Sequence, residues 1–146
     1  MKKMLAFLFL AISLSGFSQS NINQDELTAN YWDWIKVYRN SQVGYIDQYG
    51  VEVVAPVYDS IHKFGTHKKD WALTQSDGLY GFIDDQGNDV VLVQYEQINT
   101  FGEYQDGWAL VKKEGYFGFI DESGTEVVIP QYDRIEQITK HAKAAN

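Results

Sequence analysis

Apolar and polar positions alternate along the chain in short bursts. Runs such as WALTQ (71–75), GFID (81–84) and WALVK (108–112) are rich in Val, Ile, Leu and aromatic residues, and Gly, Asp and Asn bound them. That pattern predicts short β-strands between tight turns, and no long stretch keeps the 3.6-residue period of a helix. The bursts also recur. Residues 44–64 (GYIDQYGVEVVAPVYDSIHKF), 81–101 (GFIDDQGNDVVLVQYEQINTF) and 118–138 (GFIDESGTEVVIPQYDRIEQI) align without a gap at a period of 37. Trp34, Trp71 and Trp108 fall on the same period. Residues 34–144 therefore divide into units 34–70, 71–107 and 108–144, preceded by a polar lead-in at 19–33.

Each unit predicts the same elements. A first strand ends in a two-residue turn, Asn40-Ser41, Asp77-Gly78 or Glu114-Gly115, of the type I′ kind that needs positive φ at both positions. A second strand runs to an Ile-Asp pair. D-x-x-G follows (Asp47 to Gly50, Asp84 to Gly87, Asp121 to Gly124), where the carboxylate can accept a backbone N–H two residues on. A third strand carries Val53-Val54, Val90-Val91 or Val127-Val128. Pro56 and Pro130 are expected to end it, because proline cannot donate to a ladder. A short Y-[DE]-x-I segment closes the unit, and a short helix from about Arg134 is expected to cap the last one. Hairpin parity places Ala72 opposite Ile83, Thr74 opposite Gly81, and Leu73 opposite Phe82. The small aliphatic face reads as core, and the aromatic face as half-buried against the next unit. The hairpin glycine is expected to lie beneath a large neighbouring ring.

These residues resemble a known family. The pattern G-[YF]-I-D-x-x-G-x-x-V-[VI]-x-P-x-Y-D-x-I, with Trp ahead of Ala in Trp71-Ala72 and Trp108-Ala109, is similar to the WG (KWG) repeat. The second copy departs from it at Val93 and Glu96. The resemblance implies a repeat-built binding or scaffolding module of bacterial origin, with no catalytic residues attached to the repeat. The fold class expected is all-β: three repeats of antiparallel hairpins in an open curved array or solenoid. The alternative is a closed three-fold β-trefoil-like arrangement.

The N-terminus changes the picture of where the protein works. Lys2-Lys3, an apolar run at 4–14, and small residues up to Ser18 form the three-part pattern of a secretory signal peptide, with cleavage expected near Ser18. The expected product is exported, periplasmic or secreted, with no stable membrane insertion after cleavage. The absence of Cys excludes disulfides, thiolate catalysis and an N-terminal lipid on Cys. A net charge of −8, falling to −10 without Lys2 and Lys3, argues against nucleic acid as a partner.

Candidate chemistry is sparse. The Asp47, Asp84 and Asp121 series is too short-spaced for a calcium loop and reads as turn residues. Tyr58-Asp59, Tyr95-Glu96 and Tyr132-Asp133 recur in every unit, unlike a catalytic acid pair, which needs two different environments in one place. A secreted glycan-acting hydrolase using the acidic residues is the competing reading. One pocket that breaks the repeat symmetry and holds two carboxylates would favour it, whereas equivalent surfaces in each unit would favour a module. No cofactor is expected, and no metal. The expected partner is a protein or glycan of the cell envelope. The expected contact residues are His62, Lys63, His67, Lys68 and Lys69, a positive cluster in an acidic chain, with Trp71 and Trp108 as aromatic platforms.

Overall fold

A computed structural model describes residues 33–138. The expectations for the leader at 1–18, for the rest of the lead-in and for residues beyond 138 lie outside the described residues. Among the described residues, eleven strands form three antiparallel sheets. The first holds β1 (Ile35–Arg39), β2 (Gln42–Ile46) and β3 (Glu52–Tyr58). The second holds β4 (Ser60–Ile61), β5 (Trp71–Ser76), β6 (Leu79–Asp84) and β7 (Asp89–Tyr95). The third holds β8 (Gln97–Ile98), β9 (Trp108–Lys113), β10 (Tyr116–Asp121) and β11 (Glu126–Tyr132). Among the described residues no sheet closes into a barrel, so the architecture is the open array and not the closed three-fold one. There is no helix at 134–138.

The hairpins form as their turn residues dictate. Asn40 and Ser41, Asp77 and Gly78, and Glu114 and Gly115 all have positive φ. The registers Ala72↔Ile83, Thr74↔Gly81 and Leu73↔Phe82 follow. Asp47, Asp84 and Asp121 each accept two backbone N–H groups on Oδ1, from residues two and four further on. Hydrogen bonds from Ser123 hold the Asp121 carboxyl below the usual range.

Three expectations about the unit are corrected. Pro56 and Pro130 do not end the third strand: β3 runs on to Tyr58 and β11 to Tyr132. Both strands carry a bulge against the central strand, where the ladder is interrupted and a missing N–H costs little. The hairpin glycines lie under backbone, not under a ring. A Cβ on Gly81 would sit 2.4 Å from the Val91 carbonyl oxygen, and Gly44 and Gly118 meet the equivalent strand in the same way. The Y-[DE]-x-I segment does not close its own sheet. As β4 and β8 it crosses over and pairs with the first long strand of the next unit, Ile61↔Thr74 and Ile98↔Val111.

That crossover binds the array together, and the core lies between successive sheets. Unit 1 presents Val43, Val54, Tyr58 and Ile61, with Trp34, Tyr45 and Phe64 around them, to Ala72 and Ile83 of unit 2. Unit 2 presents Trp71, Phe82, Val91, Tyr95 and Ile98 to Ala109, Val111 and Ile120 of unit 3. The aromatic face of one unit thus meets the small aliphatic face of the next, and large rings against Ala and Val allow close packing. In unit 1 the aliphatic face has no such cover among the described residues, and Ile35 is 55% exposed.

Two polar contacts repeat at each junction. The Tyr58 hydroxyl donates to Asp89 and the Tyr95 hydroxyl to Glu126, both at 2.6 Å. Burial, reinforced by the bonded carboxylates, raises both phenol pKa values well above the ordinary range. Asp59 Oδ2 accepts the Asp77 N–H (2.8 Å), and Glu96 Oε1 accepts the Gly115 N–H (2.9 Å). The acid after each of these tyrosines therefore clamps the hairpin turn of the following unit.

Candidate functional site

The loop from His62 to Asp70 links β4 to β5, and backbone bonds at both ends hold its shape. His62 N–H donates to the Leu73 carbonyl, Gly65 N–H to Trp71, and Trp71 N–H to Lys68. Gly65 and Asp70 supply the positive φ the loop needs. Thr66 Oγ1 donates to the Lys63 carbonyl (3.0 Å).

Where this loop meets the start of the third sheet there is a cleft of about 370 Å³. It is lined by His62, His67, Leu73, Tyr80, Glu96, Gln97 and Ile98. The His67 ring stands edge-on to Phe82, with centroids 5.8 Å apart. Burial, with a smaller contribution from nearby His62, lowers the His67 pKa below its ordinary value. His67 is thereby biased to the neutral form, one nitrogen donating and the other accepting. Tyr80 accepts from the Gln75 amide (3.3 Å). The lining is part apolar and part hydrogen-bonding, the usual character of a small ligand site.

One period on, a second cleft of about 260 Å³ has an equivalent lining: Asn99, Tyr104, Leu110, Phe117, Arg134 and Ile135, with Gln97 on its wall. Tyr104 takes the place of His67 and stacks edge-on against Phe119 (5.6 Å). The first cleft holds one carboxylate, Glu96, and the second holds none. Glu96 is committed to the Gly115 amide and lies 3.8 Å from Lys112 Nζ. The two clefts are equivalent surfaces at successive junctions, and a further cleft of about 250 Å³ on unit 3 is lined by the carboxylates of Glu114 and Glu126 with Lys113, Tyr116, Ile129 and Pro130.

The expected contact residues divide into three groups. His62 and His67 are brought together in the first cleft. Lys63 and Lys69 are exposed on its loop without lining the cleft, and Lys68 Nζ lies 4.8 Å over the Trp71 ring as a cation–π contact. Trp71 is not an exposed platform: it is buried against Phe82 and Phe101 in the core between units 2 and 3. Trp108, its counterpart, is half-buried against Phe119 on the outer face of unit 3, away from the first cleft's lining. Tyr80, Gln97 and Ile98 escaped the sequence reading. They belong to the unit after His62, and only the crossover of β4 and β8 makes such residues neighbours.

Among the described residues there is no cluster of three or more potential metal ligands, and no helix long and apolar enough to cross a membrane. No curated protein and no solved structure matches the chain. The family model described as the WG containing repeat matches residues 44–80, 80–117 and 117–140 in succession, two-thirds of the sequence, each match beginning within the second strand of a hairpin (β2, β6 or β10), so the chain belongs to the WG-containing-repeat family.

Proposed function

We propose that this chain is an exported, non-catalytic binding module of a bacterial envelope, and that it holds an anionic protein or glycan at the cleft between units 1 and 2. The observation that carries this reading is the recurrence of the cleft with altered polarity. The scaffold repeats, while the lining changes from Tyr104, Phe117 and Arg134 in the second cleft to His67, Tyr80 and Gln97 in the first. A rigid frame with exchanged side chains at equivalent positions serves recognition. Two exposed lysines beside the first cleft, on an acidic chain, form the spot where an anion meets least repulsion. The leader pattern at 1–18 supports export.

Titration with oligogalacturonate and with a poly-glutamate peptide tests the reading. At least one is expected to bind, and more weakly as salt rises, because screening acts within ~10 Å at 0.1 M. Lys63→Ser with Lys69→Ser is expected to lower affinity several-fold without altering the fold. Salt-independent binding, or none, would overturn the anion reading. Retention of Met1 on protein recovered from the host, in place of an N-terminus near Gln19, would overturn export.

A further inference from the structure

The junctions between units are directional: an aromatic face with a crossover strand on one side, an aliphatic face with a free hairpin edge on the other. Both halves of one more junction stand at opposite ends of the described chain. We propose that the chain stacks head to tail on further copies of itself, unit 3 of one copy docking on unit 1 of the next in the geometry that joins its own units.

The tyrosine–acid bonds, the turn clamps and the backbone pairings of the internal junctions have their two partners waiting at the ends, while Ile35 stands where the junctions use Ala72 and Ala109. Tyr58 bonds Asp89 and Tyr95 bonds Glu126. One period further, Tyr132 is 48% exposed, and its hydroxyl makes no hydrogen bond among the described residues. The acid it requires lies one period before Asp89: Glu52, exposed, whose carboxylate meets Arg39 at 3.4 Å and no other side chain among the described residues. Asp59 and Glu96 clamp the next turn at Asp77 and Gly115. Asp133 is exposed, and the equivalent turn is Asn40-Ser41 of unit 1.

The backbone agrees. Asp59 and Glu96 donate their N–H groups to Gln75 and Lys112, and Ile61 and Ile98 pair with Thr74 and Val111. The corresponding bonds would run from Asp133 to the Tyr38 carbonyl, with Ile135 opposite Val37. β1 is an edge strand with nothing paired to its outer side among the described residues, and such edges invite another strand. Gly87 and Gly124 pack so closely on the preceding unit that a Cβ would meet the Val53 and Val90 carbonyls at 2.5 and 2.6 Å. Gly50, their counterpart, has nothing within 4 Å among the described residues, and the corresponding carbonyl is that of Val127, a residue 40% exposed.

The occupant is a second copy and not the chain's own lead-in. At the repeat period the lead-in carries Asn21 where the junctions use Tyr, and Gln24 where they use Ile. Beyond unit 3, the period requires Trp-Ala at 145–146, and Ala145-Asn146 stand there. A heterologous interface of this kind is not self-limiting, so it builds open chains or rings.

Sedimentation velocity of the protein purified from its host, from micromolar to millimolar, is the test. The expected result is concentration-dependent growth past the dimer. Gly50→Asn keeps a residue that tolerates positive φ and fills only space that the described residues leave open. It is expected to abolish growth while circular dichroism stays unchanged. Ile135→Asp is expected to block the other end. A mixture of the two single-blocked variants should form a heterodimer and nothing larger. Tyr132→Phe with Glu52→Gln, which leaves shape intact, should weaken association about tenfold. A chain that stays monomeric throughout, a dimer that does not grow, or growth indifferent to Gly50→Asn and to Ile135→Asp would each overturn the proposal.

Discussion

Gly81→Ala probes one of the tightest internal contacts of the array. The added carbon would lie 2.4 Å from the Val91 oxygen, 2.7 Å from the Val93 nitrogen and 2.8 Å from the Leu92 carbonyl carbon. Its φ is not positive, so the cost is purely one of space. Relief requires the backbone of β7 to move by close to an ångström. That backbone is held: Val91 and Tyr95 are buried between units 2 and 3, and the Tyr95 hydroxyl is bonded to Glu126. Overpacking of this sort costs about 1–3 kcal/mol, and a rigid obstacle belongs at the upper end. Loss of glycine's freedom in the unfolded chain offsets about 0.5–1 kcal/mol. The net is about 2 kcal/mol, a large part of the ~5–15 kcal/mol typical of a domain. Urea denaturation followed by tryptophan fluorescence should show a lower midpoint at unchanged slope. Gly78→Ala is the control. It has nothing within 4 Å but a φ of 76°, so only left-handed strain of ~1 kcal/mol applies. If Gly81→Ala proves no more destabilising than Gly78→Ala, the close approach of β7 is wrong.

Three further outcomes are expected. Ala109→Asp would bury an unpaired charge in the junction of units 2 and 3 and should cost several kcal/mol, whereas Thr100→Asp, exposed in a loop, should be nearly neutral in the same denaturation assay. Thr74 is fully buried, with a hydroxyl unpartnered among the described residues, at the position Val111 fills one unit later, so Thr74→Val should raise stability by about 1 kcal/mol, and a loss would show that the hydroxyl has a partner. His67 has a lowered pKa in the folded chain, so the unfolded chain binds its proton more readily. Its contribution is fully present above the ordinary value of about 6.5 and is lost as pH falls through that value towards the folded pKa. Thermal melts should therefore fall with acidification in that window, and His67→Tyr, copying Tyr104, should flatten this part of the profile; an unchanged slope would contradict it.

Much of the unit was legible because its signals are local. The paired turn residues, the Asp carboxylates over their loops and the hairpin registers each depend on a few neighbouring positions, and the structure has them as the alternation predicts. The function of the hairpin glycine was less accessible. A gap of one residue on one face tells that something comes close, and whether that is a ring or a bulged backbone depends on the pairing of a strand ten residues away. Trp71 shows the same limit: periodicity marks it as one of a set, and only packing assigns it to the core and not to a binding surface.

By itself the sequence determined the repeat, its period, its strands and turns, and the family, because these follow from backbone preferences and side-chain parity over short spans. Tertiary structure alone decided how the units join. β4 and β8 leave their own unit to pair with the next sheet, which brings His62 and His67 beside Gln97 and Ile98 and gives every junction a direction. A crossover of this kind leaves no mark in alternation, since a two-residue strand satisfies its hydrogen bonds as well with the following unit as with its own. The choice rests on burying Ile61 and Ile98 between sheets, a contact that exists only once two units are stacked.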